Sequence, residues 1–300
     1  MPGINLRRFY PAGMVPLGIL NGGAGAWAFA ALAHRLSQAL HVPIVPEPTS
    51  LNYVLNWDGP PASLAGRSFI PLDALAIAAD KREVARAFAL HGVPCPRTVL
   101  LARSEVARFL QMQPGSWVLK YPLGCAALGH RLITATTTIP AQWPEPCVVQ
   151  EFITTDPPSV ERLYCVDGLC FGFNSRRFPA GATPSPWIAH ARGARYQHGA
   201  VAPQQAMAVG LHALQACGLD GSFGCVDLLQ RPSGAWLALE VGSDGFYNHV
   251  DRDLDNAALE GEILERTAYA FWQRAGMDPP WGSQWRLPSA PQADATGMIR

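Results

Sequence analysis

WVLKYPLGCAALG, residues 117–129, is the stretch on which the reading of this chain turns. An apolar run ends on a lysine, and a loop of glycines and small residues follows. The chain has 21 Arg but only two Lys, Lys81 and Lys120, so an ammonium stands here where nearly every other cation is a guanidinium. A lysine leaving a buried strand just before glycines is a way to hold phosphate. The ammonium is a compact point charge, and small residues let backbone N–H groups approach oxygen. Lys120, Gly124 and Gly129 have that arrangement.

Outward from this stretch, strands and helices follow in mixed order. VPLGIL (15–20), NGGAG and AWAFAALAHRLSQAL predict a strand, a glycine turn and a helix over about residues 26–40. VPIVP predicts a second strand, and NYVLNWDGPP a loop. DKREVARAFALHG opens on an acidic residue, has apolar residues at helical spacing and closes on His91-Gly92, which predicts a helix, and VPCPRTVLL then turns into a strand. Downstream, CVVQEFI predicts a strand, RLYCVDGLCFGFNSR two strands about an Asp167-Gly168 turn, and CVDLLQRPSGAWLALEV a hairpin about Pro232 to Gly234. The second half is therefore largely antiparallel β. AVAPQQAMAVGLHALQACGLD and NAALEGEILERTAYAFWQRAG predict helices, and the Pro-rich, polar segment after Met277 a loose tail.

Composition narrows the function. Three hundred residues, 49% apolar and 15% charged, can bury a sizeable core in one to three domains. The net charge of zero, with both signs interspersed, lacks the footprint of a nucleic-acid or membrane-surface binder and points to small-molecule partners. Seven cysteines, an odd number without a C-x-x-C pair, argue against a disulfide framework and an ordinary zinc site, and for a reducing cytoplasm. Cys165, Cys170 and Cys225, on apolar strands, read as core. Arg7 and Arg8 precede an uncharged run from Phe9 to Ala33 that looks like a signal peptide or membrane span. Pro11, Pro16, Asn21, Gly22, Gly23 and Gly25 would break such a helix repeatedly.

Residues 80–245, taken in order, resemble the ATP-grasp ligases, particularly the branch of the ribosomal-protein glutamate ligases and glutathione synthetases. Asp80-Lys81 begins a helix, and HGVPCPRT is similar to the family's Gly-hydrophobic-Pro-x-Pro turn. VLKYPLGCAALGHRLI resembles its K-P-x-x-G-x-x-G-x-G loop and VVQEFI its adenine hinge. RLYCVDGLCFGFNSRR resembles the D-x-R-V-x-V-x-G-G…R hairpin, and GCVDLLQRPSGAWLALEV the hairpin that ends in E-V-N. Both lysines fall on motif positions.

The resemblance implies an α/β plus α+β fold: a Rossmann-like N-terminal α/β unit (1–79), an ATP-grasp small subdomain (80–149), a C-terminal subdomain (150–277) and a tail (278–300). It implies ATP and Mg²⁺ as cofactors, with Lys81, Lys120, Gly124 and Gly129 at the phosphates and the backbone of Gln150, Glu151, Phe152 and Ile153 reading adenine. Arg162 and Arg176, with Arg177 as a substitute for the latter, would face the γ-phosphate and an acyl phosphate, where a planar fork of donors suits paired oxygens. Asp227 and Glu240 would hold Mg²⁺. Their places on the two strands of one hairpin let both carboxylates point to a common site, and each is embedded in apolar residues where an unpaired charge is costly. The implied activity is ATP-dependent joining of a carboxylate and an amine through an acyl phosphate. Partners are then small carboxylates and amines, without nucleic acid or membrane, and a homodimer is an open possibility.

The sequence departs from that pattern at Gly242, where the family has a metal-binding asparagine. Asp244 is the candidate replacement and Asn248 a poorer one. The acidic residue expected two positions before Arg162 is Val160, with Glu161 alongside. These departures keep a non-catalytic nucleotide-binding protein in play. An NAD(P)-dependent oxidoreductase is the other alternative, because GAGAWA (23–28) satisfies G-x-G-x-x-A between strand and helix and Glu47 stands at about the distance of a ribose-binding acid.

Overall fold

The computed structural model describes residues 16–22, 27–56, 59–124, 127–183, 185–198, 201–243, 247–255 and 258–281. The chain is mixed α/β and divides into two compact units: Met1–Phe69 with Glu262–Arg300, and Ile70–Gly261.

The first unit is built on a parallel three-stranded sheet in the order β2-β1-β3, with β1 at Leu17–Asn21, β2 at Ile44–Val45 and β3 at Leu51–Asn56, and with helix α1 at Trp27–Leu40 between the first two strands. Leu17, Ile19 and Leu20 are fully buried, as expected of a central parallel strand covered on both faces. Gly18 is demanded by packing, since a Cβ there would lie 2.6 Å from a Val45 methyl. The segment NYVLNWDGPP, expected as a loop, begins instead as strand β3, which pairs with β1 from Leu51↔Leu17 to Asn56↔Asn21. Its asparagines suggested a turn, but buried Asn52 spends its amide on Thr49 and Arg67 (2.8–3.1 Å), so a turn-former is fully bonded inside a sheet. The glycine turn at residues 23–26 lies outside the described residues. Helix α7, Ala258–Arg274, confirms the last predicted helix, and its Trp272 donates to Leu40 O at 2.7 Å within this unit. Among the described residues no helix is long and apolar enough to cross a membrane.

The second unit carries two antiparallel sheets. The smaller has the order β4-β7-β5-β6, from Thr98–Leu101, Cys147–Glu151, Trp117–Lys120 and Arg131–Ile133. The larger has the order β10-β9-β8-β11-β12, from Arg195–His198, Leu169–Arg177, Ser159–Val166, Phe223–Gln230 and Trp236–Gly242. Both expected hairpins, β8–β9 and β11–β12, are present. So is the helix expected after DK, here α3 (Lys81–His91), capped by Asp80 accepting from Arg82 N at 2.9 Å and closed by Gly92 at φ 67°. The helix expected between the hairpins is α5, Gln204–Ala216. Helices α2 (Leu72–Ala79), α4 (Arg103–Met112) and α6 (Tyr247–Leu254) and strands β6 and β10 were not anticipated.

Cys165 is buried as expected, but the expectation against disulfides is corrected: Cys165 and Cys170 are direct cross-strand partners on β8 and β9 and form a disulfide. Their sulfurs meet because one turn places them opposite each other, which cysteine counting alone does not see.

Candidate functional site

The alternation in WVLK assigns the faces of β5. Trp117 and Leu119 join the buried cluster of Val106, Ile133, Trp143, Cys147 and Val149, each contributing roughly 1.5–3 kcal/mol of burial. Val118 and Lys120 therefore point to the opposite face, beside their cross-strand partners Gln150 and Val148 on β7. Burial pushes the Lys120 ammonium down to about 8, Glu240 opposing and Lys81 adding to the shift. Lys81 stands at the first position of α3, where the helix dipole disfavours a cation. It is held there by acceptors: its ammonium donates to Gly124 O and lies 4.0 Å from Glu240. Two cations placed against local physics, on different elements, face one space.

On the larger sheet, register builds a row. Glu240 on β12 pairs with Asp227 on β11, which pairs with Arg162 on β8, so the three side chains share one face. Asp227 is 3% exposed and accepts from Arg162 at 2.7 Å (Nε to Oδ1) and 3.2 Å, and from Arg176 at 2.7 Å. Burial opposes its charge, but the two guanidiniums outweigh burial and hold the carboxyl well below the usual carboxylate range. Arg176 is fixed further by Ile188 O (2.9 Å) and the Tyr196 hydroxyl (3.1 Å), and both arginines lie over the Tyr196 ring at 5.6–5.8 Å.

One cavity of about 840 Å³ gathers these groups. Lys81, Lys120, Gly124, Gln150, Glu151, Phe152, Ile153, Arg162, Arg176, Asp227 and Glu240 all line it. Gly129 does not, and Asp244 and the Asn248 side chain lie outside what is described. Arg177 is not part of the wall and pairs with Glu161 at 3.8 Å. Glu161 faces away from the Arg162 row and bonds Ser159 and Ser175, so it is no substitute for the acid missing at Val160. The side chains of the expected adenine hinge are engaged structurally: Gln150 donates to Thr98 (2.9 Å), and Glu151 takes a two-pronged pair from Arg231 (2.6 and 2.9 Å). The Glu151 and Phe152 amides donate to Arg97 O and Ser116 O, both at 2.8 Å; among the described residues nothing takes the Ile153 amide. His130, Trp187, His190 and Tyr196 also line the cavity and were missed. Three of them lie in or beside the loop between β9 and β10, which has no periodicity to reveal its facing. His130 sits in the glycine loop itself, where its residue type was the available signal.

Gly129 has a packing reason to be glycine. Its φ is +76°, and a Cβ would stand 2.8 Å from the Tyr121 Cβ. Gly129→Ala is therefore expected to cost about 2 kcal/mol or more of unfolding free energy, read by urea denaturation. A change below about 0.5 kcal/mol would show that the loop relaxes freely.

Among the described residues no cluster of three or more His, Cys, Asp or Glu side chains suits a metal ion, so the described acidic set is the Asp227–Glu240 pair. Curated protein sequences give no match to this chain. Solved structures do. D-cycloserine synthetase DcsG aligns at 18% identity and TM-score 0.59, covering 88% of this chain and 100% of its own. The ATP-grasp ligase PsnB, in complex with precursor peptide PsnA2 and AMPPNP, aligns at 14% identity and TM-score 0.59 over 87% of this chain and 98% of its own. D-alanine–D-alanine ligase from Bacillus anthracis, in complex with ATP, aligns at 13% identity and TM-score 0.59 over 87% of this chain and 97% of its own. At such identities the likeness is one of fold. Residues 78–233 match the sequence family described as the ATP-grasp domain, over more than half of the chain, and they include both lysines, the glycine loop, Arg162, Arg176 and Asp227; this chain belongs to the ATP-grasp family.

Proposed function

We propose that this chain is an enzyme, an ATP-dependent carboxylate–amine ligase that forms an amide bond through an acyl phosphate on an amino-acid, peptide or cofactor carboxylate. One observation carries the reading: two misplaced-looking lysines, two buried arginines and two carboxylates in register line a single cavity of nucleotide-binding size. The similarity in fold to the ATP-grasp ligase PsnB and to a D-alanine–D-alanine ligase supports it. The domain reading that accompanies it keeps the Rossmann-like unit at 1–79, the two ATP-grasp subdomains at 80–149 and 150–277, and the tail at 278–300. ATP supply argues for the cytoplasm.

In this reading the uncommitted Ile153 amide and the apolar wall of Val118, Phe152, Leu229 and Leu239 hold the base. Lys81 and Lys120 neutralise phosphate oxygens. Arg176, already fixed by three acceptors, meets developing charge with little reorganisation. The acidic pair fits Mg²⁺ in kind: both are hard oxygen donors, and Asp227 Oδ1, which accepts one hydrogen bond, retains a lone pair. Bound there, Mg²⁺ would add positive charge where phosphate charge gathers. The carboxylate substrate attacks phosphorus, ADP leaves, and the amine then displaces phosphate from the acyl carbon.

The second reading, nucleotide binding without turnover, is favoured by Gly242, which contributes no side-chain oxygen beside Glu240. A panel of carboxylic acids and amines assayed for ADP release separates the two. Release that requires one acid–amine pair is expected; bound ATP with no release across the panel would overturn the ligase reading and leave the second.

A further inference from the structure

His130 follows Gly129 directly and lines the cavity with Lys81 and Lys120. Its ring lies edge-on to Trp187 at 5.6 Å, and Trp187 lies edge-on to Phe152 at 5.8 Å. An aromatic line thus runs from the end of β7, through the loop before β10, to the glycine loop, and it fixes the imidazole at the cavity wall. Nδ1 is buried and makes no hydrogen bond. A bare buried acceptor is tolerated better than a bare N–H, so the single proton of the neutral ring belongs on Nε2. The ring's backbone partner is Leu128, whose hydrogen bond favours the protonated form and opposes the downward push of burial.

We propose that His130 is a nucleotide-contacting residue, an imidazole that takes a proton from solvent as the cavity fills and donates a charge-assisted hydrogen bond to the anionic part of the ligand. This rests on the reading of the cavity as an ATP site. The charged groups that weigh most on the ring are cations: Lys120 from β5, Lys81 from α3 and Arg192 from the short 3-10 turn His190–Arg192. Burial first, then these cations, push the imidazole down to about 3, so it is neutral in the empty site. An anionic polyphosphate reverses the balance by neutralising the same cations. Its arrival therefore raises the proton affinity of His130, and by linkage protonation of His130 raises the affinity for the ligand. The sign follows: the bound-state value lies above the free one, so binding takes up protons between the two, and affinity falls as pH rises through the bound value.

The test is calorimetry with AMPPNP–Mg²⁺ in buffers of different ionisation enthalpy, on wild type, His130→Gln and His130→Leu. Wild type is expected to take up more protons near pH 6 than either variant, and to lose about 10-fold more affinity than they do between about pH 6 and 8. His130→Gln keeps a neutral donor, so it serves as the variant that preserves packing. The ring nitrogens of His130, identified by NMR through their loss in His130→Gln, are expected to move from neutral to imidazolium shifts on adding the nucleotide. Equal proton uptake in wild type and His130→Gln, or a ring still neutral in the complex, overturns the role of His130 while the ATP site stands. A wild type that binds no nucleotide overturns both.

Discussion

Asp227→Ala is expected to lower the unfolding free energy by about 3–5 kcal/mol, because it leaves Arg162 and Arg176 buried without their counter-ion. The loss of a small side chain would not do this; two stranded guanidiniums do. The control is the triple change Asp227→Leu, Arg162→Met, Arg176→Met, which removes the charges together and is expected to recover most of the stability. All of these variants should lose Mg²⁺-dependent nucleotide binding. Urea denaturation at neutral pH, with the slope checked for constancy, reads the difference. Less than about 1 kcal/mol lost in Asp227→Ala would mean that the arginines find other acceptors and that the row is not electrostatically closed.

The same carboxylate sets an acid limit. Burial alone would raise its proton affinity, but Arg162 and Arg176 prevail and its folded value is depressed. A depressed acid stabilises the fold fully above its unfolded value, about 4, and that contribution is lost as pH falls toward the folded value. Wild type should therefore lose stability more steeply than Asp227→Asn below about pH 4.

How much of this was readable beforehand depends on whether a feature is local. The β5 alternation, the two hairpins and the Asp227–Glu240 register are written in short-range pattern and turn chemistry, and they appear where expected. What was missed depends on long-range pairing. β3 is a strand because β1 accepts it, against the turn preference of its asparagines. The Cys165–Cys170 bond is the local exception: it spans five residues across one turn, and counting cysteines without their cross-strand places hid it. Arg162 and Arg176 were expected toward phosphate, and the fold shows them already committed to Asp227, 65 and 51 residues away. Trp187 and Tyr196 reach the cavity from or beside a loop without periodicity, so no window of sequence marks them as wall residues. Ile153, by contrast, stands out only once the sheet has used the amides of Glu151 and Phe152.

Lys120→Met is expected to move stability and function in opposite directions. In the folded protein, burial holds the ammonium down to about 8, against an ordinary value of 10.5. Between those two values the unfolded chain binds more protons than the folded one, so wild-type stability should rise as pH is raised from about 8 to 10.5. Below that window the charged ammonium is a standing cost. Methionine fills a similar volume without charge, so the variant should be more stable at pH 7 by about 1–2 kcal/mol and should lack the alkaline rise. Its nucleotide affinity should fall on the order of 100-fold, the loss of a charged hydrogen-bonding partner in a desolvated site, and ADP release should cease. Lys120→Arg should restore the charge but not the activity, because a guanidinium plane does not fit the space of a point charge beside Lys81, Gly124 and Gln150. An ammonium kept at a cost to the fold is explained only by a ligand that repays it. A Lys120→Met protein that is less stable than wild type at pH 7, or that releases ADP at the wild-type rate, would remove that explanation and with it the reason for lysine at the end of WVLK.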